Sequence, residues 1–284
     1  MNKLIALIDG SVYSQSVCDH VTWIAKRTTA SIELVHAIGR RETDSAPANL
    51  TGNITLGARS ALLEELSALD EQRAKLFQKR GRAILDDGRT RIEAAGVKDV
   101  TARLRIGDIV ETVTESESDA DMIVIGKRGE AADFSKLHLG SNLERIVRSC
   151  RKPVFVASRA FRPIEKFMIA YDGGASSVKA VDHVVRDPLF AGLQCHLLMA
   201  GRDTPKTRDR LNNARALLEA GGLAVDAGIS DGQAETVIAQ AVEANDIDLL
   251  VMGAHGHSRI RSLIIGSTTT EMVRSCKVPV VLFR

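Results

Sequence analysis

The stretch Leu249-Leu250-Val251-Met252-Gly253-Ala254-His255-Gly256, with Gly266-Ser267-Thr268-Thr269-Thr270 after a nine-residue spacer, decides the fold. Its apolar run is short and continuous, which suits a strand of a parallel sheet covered on both faces. Gly253 and Gly256 let the backbone turn sharply and approach a ligand with no side chain in the way. Ser267 to Thr270 then place hydroxyls and N–H groups at the start of a helix carrying Glu271, Met272 and Val273. Together with the positive end of the helix dipole, those donors suit phosphate oxygens. Thr268-Thr269-Thr270-Glu271 fits a capping box equally well, with Thr268 and Glu271 each bonding a backbone N–H. On these residues alone the two readings balance.

Working outward, the same order of segments occurs twice. In the first half, Leu4 to Ile8 reads as a strand ending in Asp9-Gly10-Ser11, and Val17 to Ala25 has helical spacing. Ile32 to Ala37 is a second strand. From about Thr55 to Ala95 apolar residues recur at helical intervals, as one long amphipathic helix or two broken near Gly81 or Gly88. Gly39 to Gly52, ahead of it, reads as a loop. Strand Val100 to Ile106, a helix from Asp108 to about Glu117, and strand Asp121 to Ile125 lead to Gly126-Lys127-Arg128-Gly129 and then Gly140-Ser141. The second half repeats this from Phe167 to Phe283, with Asp172-Gly173 after its first strand. Ile146-Val147-Arg148-Ser149-Cys150 and Pro153-Val154 match Met272-Val273-Arg274-Ser275-Cys276 and Pro279-Val280 in register. Strands alternating with helices imply parallel sheets with right-handed crossovers. The boundary falls near Ser158 to Pro163, and so short a connector implies closely packed domains.

Composition bounds the function. With 284 residues and 44% hydrophobic content, the chain has ample core for two domains. A net charge of +2 gives no case for a nucleic-acid partner. No stretch approaches a membrane-spanning length, and the apolar run after Met1-Asn2-Lys3 is too short for a signal peptide. The four cysteines show no CxxC pair or metal-ligand spacing. The expectation is a cytoplasmic protein in a reducing compartment, with no membrane partner and no protein-held metal.

A strand ending in Asp, followed later by strand–Gly-x-x-Gly, a nine-residue spacer and Gly-Ser/Thr, resembles the nucleotide-binding signature of the universal stress protein family. The resemblance covers essentially the whole chain as two tandem domains, residues 1–158 and 163–284. It implies an α/β fold: in each domain, a five-stranded parallel sheet of order 3-2-1-4-5 with helices on both faces. It also implies pairing of the domains through their fifth strands, ATP at the carboxyl ends of the central strands, and a homodimer as a further level of assembly.

Carried over by residue, the resemblance puts Asp172 near the adenosine and Ala200 beside the base, with Met252 and Gly253 against base and ribose. Gly256, Gly266, Ser267 and Thr268 would hold the phosphates, helped by His255 and Arg259. In the first domain Asp9, Ala37, Gly126, Gly129, Gly140 and Ser141 occupy the same places. There, however, ten residues separate Gly129 from Gly140, and they include Asp133 and Phe134. A carboxylate beside a triphosphate lowers affinity, so this site is expected to be weaker or empty, with Lys127 and Arg128 in partial compensation. The ligand implied is an adenine nucleotide, ATP or its ADP or AMP forms, with Mg²⁺ held largely by phosphates and water.

Individual residues have plainer readings as well. Asp-Gly after a strand is an ordinary turn. His255 and His257 lack a carboxylate placed by sequence to orient them, so no catalytic residue is assigned. His36 and His196 read as packed or half-buried, Arg148 and Arg274 as dipole partners of helix C-termini, and Trp23 as core or interface packing. The function expected is an ATP-binding stress-response or signalling protein. The alternatives are a slow ATP hydrolase and an interaction scaffold that has lost nucleotide. No Walker A lysine, acidic metal cluster or activated nucleophile argues for efficient catalysis. No GxGxxG turn argues for a dehydrogenase.

Overall fold

The computed structural model describes residues 1–39, 56–129, 140–254 and 265–284. The first half comprises β1 (Lys3–Leu7), α1 (Val12–Thr28), β2 (Ser31–Ile38), α2 (Leu56–Ala94), β3 (Val100–Ile106), α3 (Ile109–Ser116), β4 (Met122–Gly126), α4 (Ser141–Ser149) and β5 (Val154–Ala157). The second comprises β6 (Lys166–Ala170), α5 (Ala175–Arg186), β7 (Gln194–Ala200), α6 (Pro205–Ala220), β8 (Ala224–Ser230), α7 (Ala234–Ala244), β9 (Leu249–Gly253), α8 (Ser267–Ser275) and β10 (Val280–Phe283).

All ten strands form one sheet in the order β3-β2-β1-β4-β5-β10-β9-β6-β7-β8. Within each half the strands are parallel in order 3-2-1-4-5. The halves meet antiparallel through β5 and β10, with Val156 opposite Val280, Phe155 opposite Val281 and Val154 opposite Leu282. Because successive strand residues face opposite ways, each strand feeds two cores. Leu4, Ala6, Phe155 and Ile169 pack beneath α1, α2, α5 and α6, while Ile5, Leu7, Val156 and Leu250 pack beneath α3, α4, α7 and α8. Each core draws residues from both halves, so the two domains share both hydrophobic layers rather than touching at their rims.

The long amphipathic segment is one unbroken 39-residue helix, α2. Gly81 and Gly88 do not break it; they let it lie close on the sheet. A Cβ at Gly81 would fall 2.6 Å from Leu104 Cδ1, and one at Gly88 would fall 2.9 Å from Ile8 Cδ1. The loop expected between residues 39 and 52 lies outside the described residues apart from Gly39.

Helix α1 also binds the second half. Arg27 lies over the Trp23 ring, 5.5 Å from its centroid, and its Nε donates to the Leu189 carbonyl at 2.7 Å. Trp23 thus serves core and interface together. At the connector, the Ser16 hydroxyl donates to the Ser158 carbonyl at 2.8 Å, and the fully buried His20 ring lies between Phe155 and Phe161. His20 Nδ1 lies 2.7 Å from the Ser16 carbonyl while Nε2 is buried without a partner, an arrangement that suits the neutral ring. Burial lowers its pKa to about 4.

Candidate functional site

In the second half, the carboxyl ends of β6, β7 and β9 converge at the point where the strand order reverses, the usual crevice of an open α/β sheet. Asp172 follows β6. Its Oδ1 accepts the Gly174 N–H at 2.8 Å and the Ser177 hydroxyl at 2.6 Å, so it ties the first turn of α5. Gly253 ends β9 against that same turn, where a Cβ would meet Ser176 Cβ at 2.8 Å and the Ser177 nitrogen at 3.2 Å. Helix–strand packing alone therefore demands a glycine there. Ser177 brings Asp172 and Gly253 together, while Met252 lies between Ala170 and Leu282 and is buried. Ala200 ends β7 opposite Ser230, half-buried.

The start of α8 separates the phosphate and capping readings. Gly266 is its N-cap, and the Gly266 N–H donates to the Ala254 carbonyl at 3.1 Å. The helix begins earlier than the capping box requires, so the threonines lie inside it and their hydroxyls point to other partners. Thr268 Oγ1 donates to Glu235 Oε1 at 2.7 Å, and Thr269 Oγ1 donates to the Gly253 carbonyl at 3.0 Å. Glu271 pairs with Arg274 instead of reaching back. The Thr268–Glu271 capping box is therefore not formed, and no side chain caps α8. Ser267 is exposed in its first turn. His255, Gly256, His257 and Arg259 lie outside the described residues.

The first half repeats this frame with different contacts. Asp9 Oδ1 accepts the Ser11 N–H at 3.0 Å and the Ser14 hydroxyl at 3.2 Å. Its Oδ2 lies 2.8 Å from where a Gly129 Cβ would stand, which brings Asp9 and the Gly-x-x-Gly loop into contact. Gly126 is pressed against Tyr13 as Gly253 is against Ser176. The Gly140 N–H donates to the Lys127 carbonyl at 3.3 Å, matching the Gly266–Ala254 bond, and α4 likewise starts at exposed Ser141 without a side-chain cap. Where Thr269 stands in the second half, Leu143 is buried in the first. Ala37 is half-buried beside Arg105, in the part of β2 that runs past β1. Asp133 and Phe134 lie outside the described residues.

Three participants were not legible as such in the sequence. Glu235, at the start of α7, is 33 positions from the hydroxyl it accepts. Its own backbone N–H and the Thr268 hydroxyl hold its carboxyl below the usual range. In the first half the corresponding helix start carries Asp108, which caps α3 and pairs with Arg145 at 2.7 Å. Thr269 is a fastening of α8 to β9 rather than a cap. Lys127 reaches across the junction and donates to the Cys276 carbonyl, 149 positions away. Among the described residues no cluster of three or more His, Cys, Asp or Glu side chains is arranged to hold a metal ion, and no helix is long and apolar enough to cross a membrane.

A doubly wound sheet, duplicated in one chain, each copy with an aspartate after its first strand and a last helix that starts without a side-chain cap, defines a class of tandem α/β proteins. The universal stress protein family model matches residues 1–158 and again 163–284. The chain is 35% identical over 287 residues to universal stress protein Slr1230 of Synechocystis, with both chains covered in full. It is 26% identical over 210 residues to universal stress protein MT2052 of Mycobacterium tuberculosis, covering 65% of each. Among solved structures, a universal stress protein from Archaeoglobus fulgidus superposes with a TM-score of 0.74 at 21% identity, covering 100% of this chain and 96% of that one. The chain belongs to the universal stress protein family.

Proposed function

We propose that the second half binds an adenine nucleotide, ATP foremost, in a cytoplasmic stress-response or signalling protein. Asp172, Ala200 and Gly253 would line the adenosine end, and the first turn of α8, Gly266, Ser267 and Thr268, would take the phosphates. The observation that carries this reading is the fate of the capping box. Its hydroxyls and carboxylate are engaged elsewhere, so backbone donors at the positive end of α8 have no side-chain cap. That donor set suits phosphate oxygens. The Glu235 carboxylate beside Thr268 disfavours a bare polyphosphate and favours one whose charge is offset by Mg²⁺. The cytoplasmic assignment rests on four free cysteines, three of them buried.

In the first half, Asp9 against Gly129 and a cationic Lys127 turned toward the other domain favour a weaker or altered site. The reading is of a binder, at most a slow hydrolase. Nucleotide extracted from freshly purified protein and identified by mass spectrometry tests it. Adenine nucleotide is expected from the parent and little from Gly266→Asp, which puts a carboxylate at the helix start. Equal amounts from both proteins would refute the site, and steady phosphate release from ATP at rates of seconds would favour the hydrolase.

A further inference from the structure

Gly173 follows Asp172 with φ +72°, in the left-handed region that favours glycine, and lies under the side chain of Arg210. A Cβ at Gly173 would fall 3.2 Å from Arg210 Cδ, 3.4 Å from Nη1 and 3.8 Å from Nε. Arg210 stands in the second turn of α6, half-buried, with its stem laid across this turn. Burial raises the pKa of the neighbouring Tyr171 phenol, and the Arg210 charge is close enough to oppose that rise. The other arginines of α6 are paired, Arg208 with Asp203 and Arg215 with Glu219. The Arg210 N–H donors have no hydrogen-bond or ion-pair partner among the described residues.

The layers of the sheet decide what this guanidinium can reach. Helix α6 packs over β7 and β8 on the same face as α5, whereas α8 packs on the other face. Strand β6, which leads to Asp172, lies between β9 and β7. Arg210 therefore closes on the Asp172–Gly173 turn from the side of β7, whose end is Ala200, and not from the side of the α8 start. The first half has Ile84 at the corresponding place, with Cδ1 2.8 Å from where a Cβ of Gly10 would stand and Gly10 at φ +79°. The same turn is covered by an apolar side chain in one half and by a cation with unspent donors in the other.

We propose that Arg210 is a ligand-binding residue of the second half, its planar guanidinium lying against the purine face of the nucleotide. This role presupposes the nucleotide reading of the site and adds to it the group that holds the base. A guanidinium suits that place because it is planar, always charged and weakly hydrated, so it stacks on a ring at little desolvation cost. Ile84 offers neither the charge nor the plane, a difference between the halves that is independent of the loop length after Gly129.

Calorimetric titration of the full chain with ATP and with AMP tests this role. Arg210→Ile, which installs the first half's residue, should raise the dissociation constant about tenfold, by the same factor for both nucleotides and with the unfolding midpoint unchanged. Arg210→Lys keeps the charge without the plane and should weaken binding nearly as much. Parent-like affinity in Arg210→Ile would overturn the role, as would full affinity in Arg210→Lys. A loss confined to ATP would put the guanidinium on the phosphates and overturn it as well. Absence of nucleotide binding in the parent, with Arg210 intact, would instead remove the site itself and this role with it.

Discussion

The two halves share a frame and differ in the side chains that fasten it. Ser16 in the first half and Lys179 in the second occupy the same turn of the first helix, and each donates to the carbonyl just after a fifth strand, Ser158 at 2.8 Å and Arg284 at 3.1 Å. His20 and His183 lie one turn further on. His20 is sealed between phenyl rings, whereas His183 pairs with Asp187 at 2.8 Å and stacks on Phe283. The last helices also start alike, yet Leu143 fastens one by apolar packing and Thr269 fastens the other by a hydrogen bond to Gly253. Position within the sheet is thus set by backbone geometry common to both copies. The loop chemistry is free to diverge, and the first half has used that freedom to build a cross-domain contact with Lys127.

The sharpest way to break the claim of a shared interior is Phe155→Ala. Phe155 is fully buried, pairs with Val281 of the other half and touches the His20 ring. Its truncation should lower stability by about 3–5 kcal/mol. Denaturant unfolding should stay a single transition that shifts as a whole. Two transitions, only one of them shifted, would mean the halves fold independently.

The histidine pair sharpens the comparison through pH. The folded pKa of His20 is about 4, below its ordinary 6.5, so the unfolded chain takes up the proton first as pH falls. The stability due to neutral His20 is full above pH 6.5 and is lost as pH drops toward 4, by about 3 kcal/mol. His20→Gln should flatten that part of the stability curve. An unchanged slope would show that other groups govern the acid limb. A smaller effect is expected at the helix fastening: Thr269→Val should cost about 1 kcal/mol, measured by chemical denaturation, by stranding the Gly253 carbonyl. No loss would mean that packing alone seats α8, as it does α4.

The fold was legible because alternation of strand and helix, and the Asp and glycine positions, recur in register across two copies. The unbroken α2 was only half legible, because Gly81 and Gly88 look like helix breakers until the sheet beneath them is seen. The site was legible in its backbone elements and not in its side-chain partners. Local spacing suggests that Thr268 and Glu271 bond each other's turn, but a helix starting at Ser267 turns Thr268 toward Glu235. Contacts such as Glu235 with Thr268, or Lys127 with Cys276, join segments far apart in sequence and leave no periodic signal.

Calorimetric stoichiometry of ATP binding tests the central claim, that the start of α8 and not that of α4 is the working phosphate cradle. One strong site per chain is expected, abolished by Gly266→Asp and retained with little change in Gly140→Asp. Two equal sites in the parent, or undiminished binding in Gly266→Asp, would contradict it.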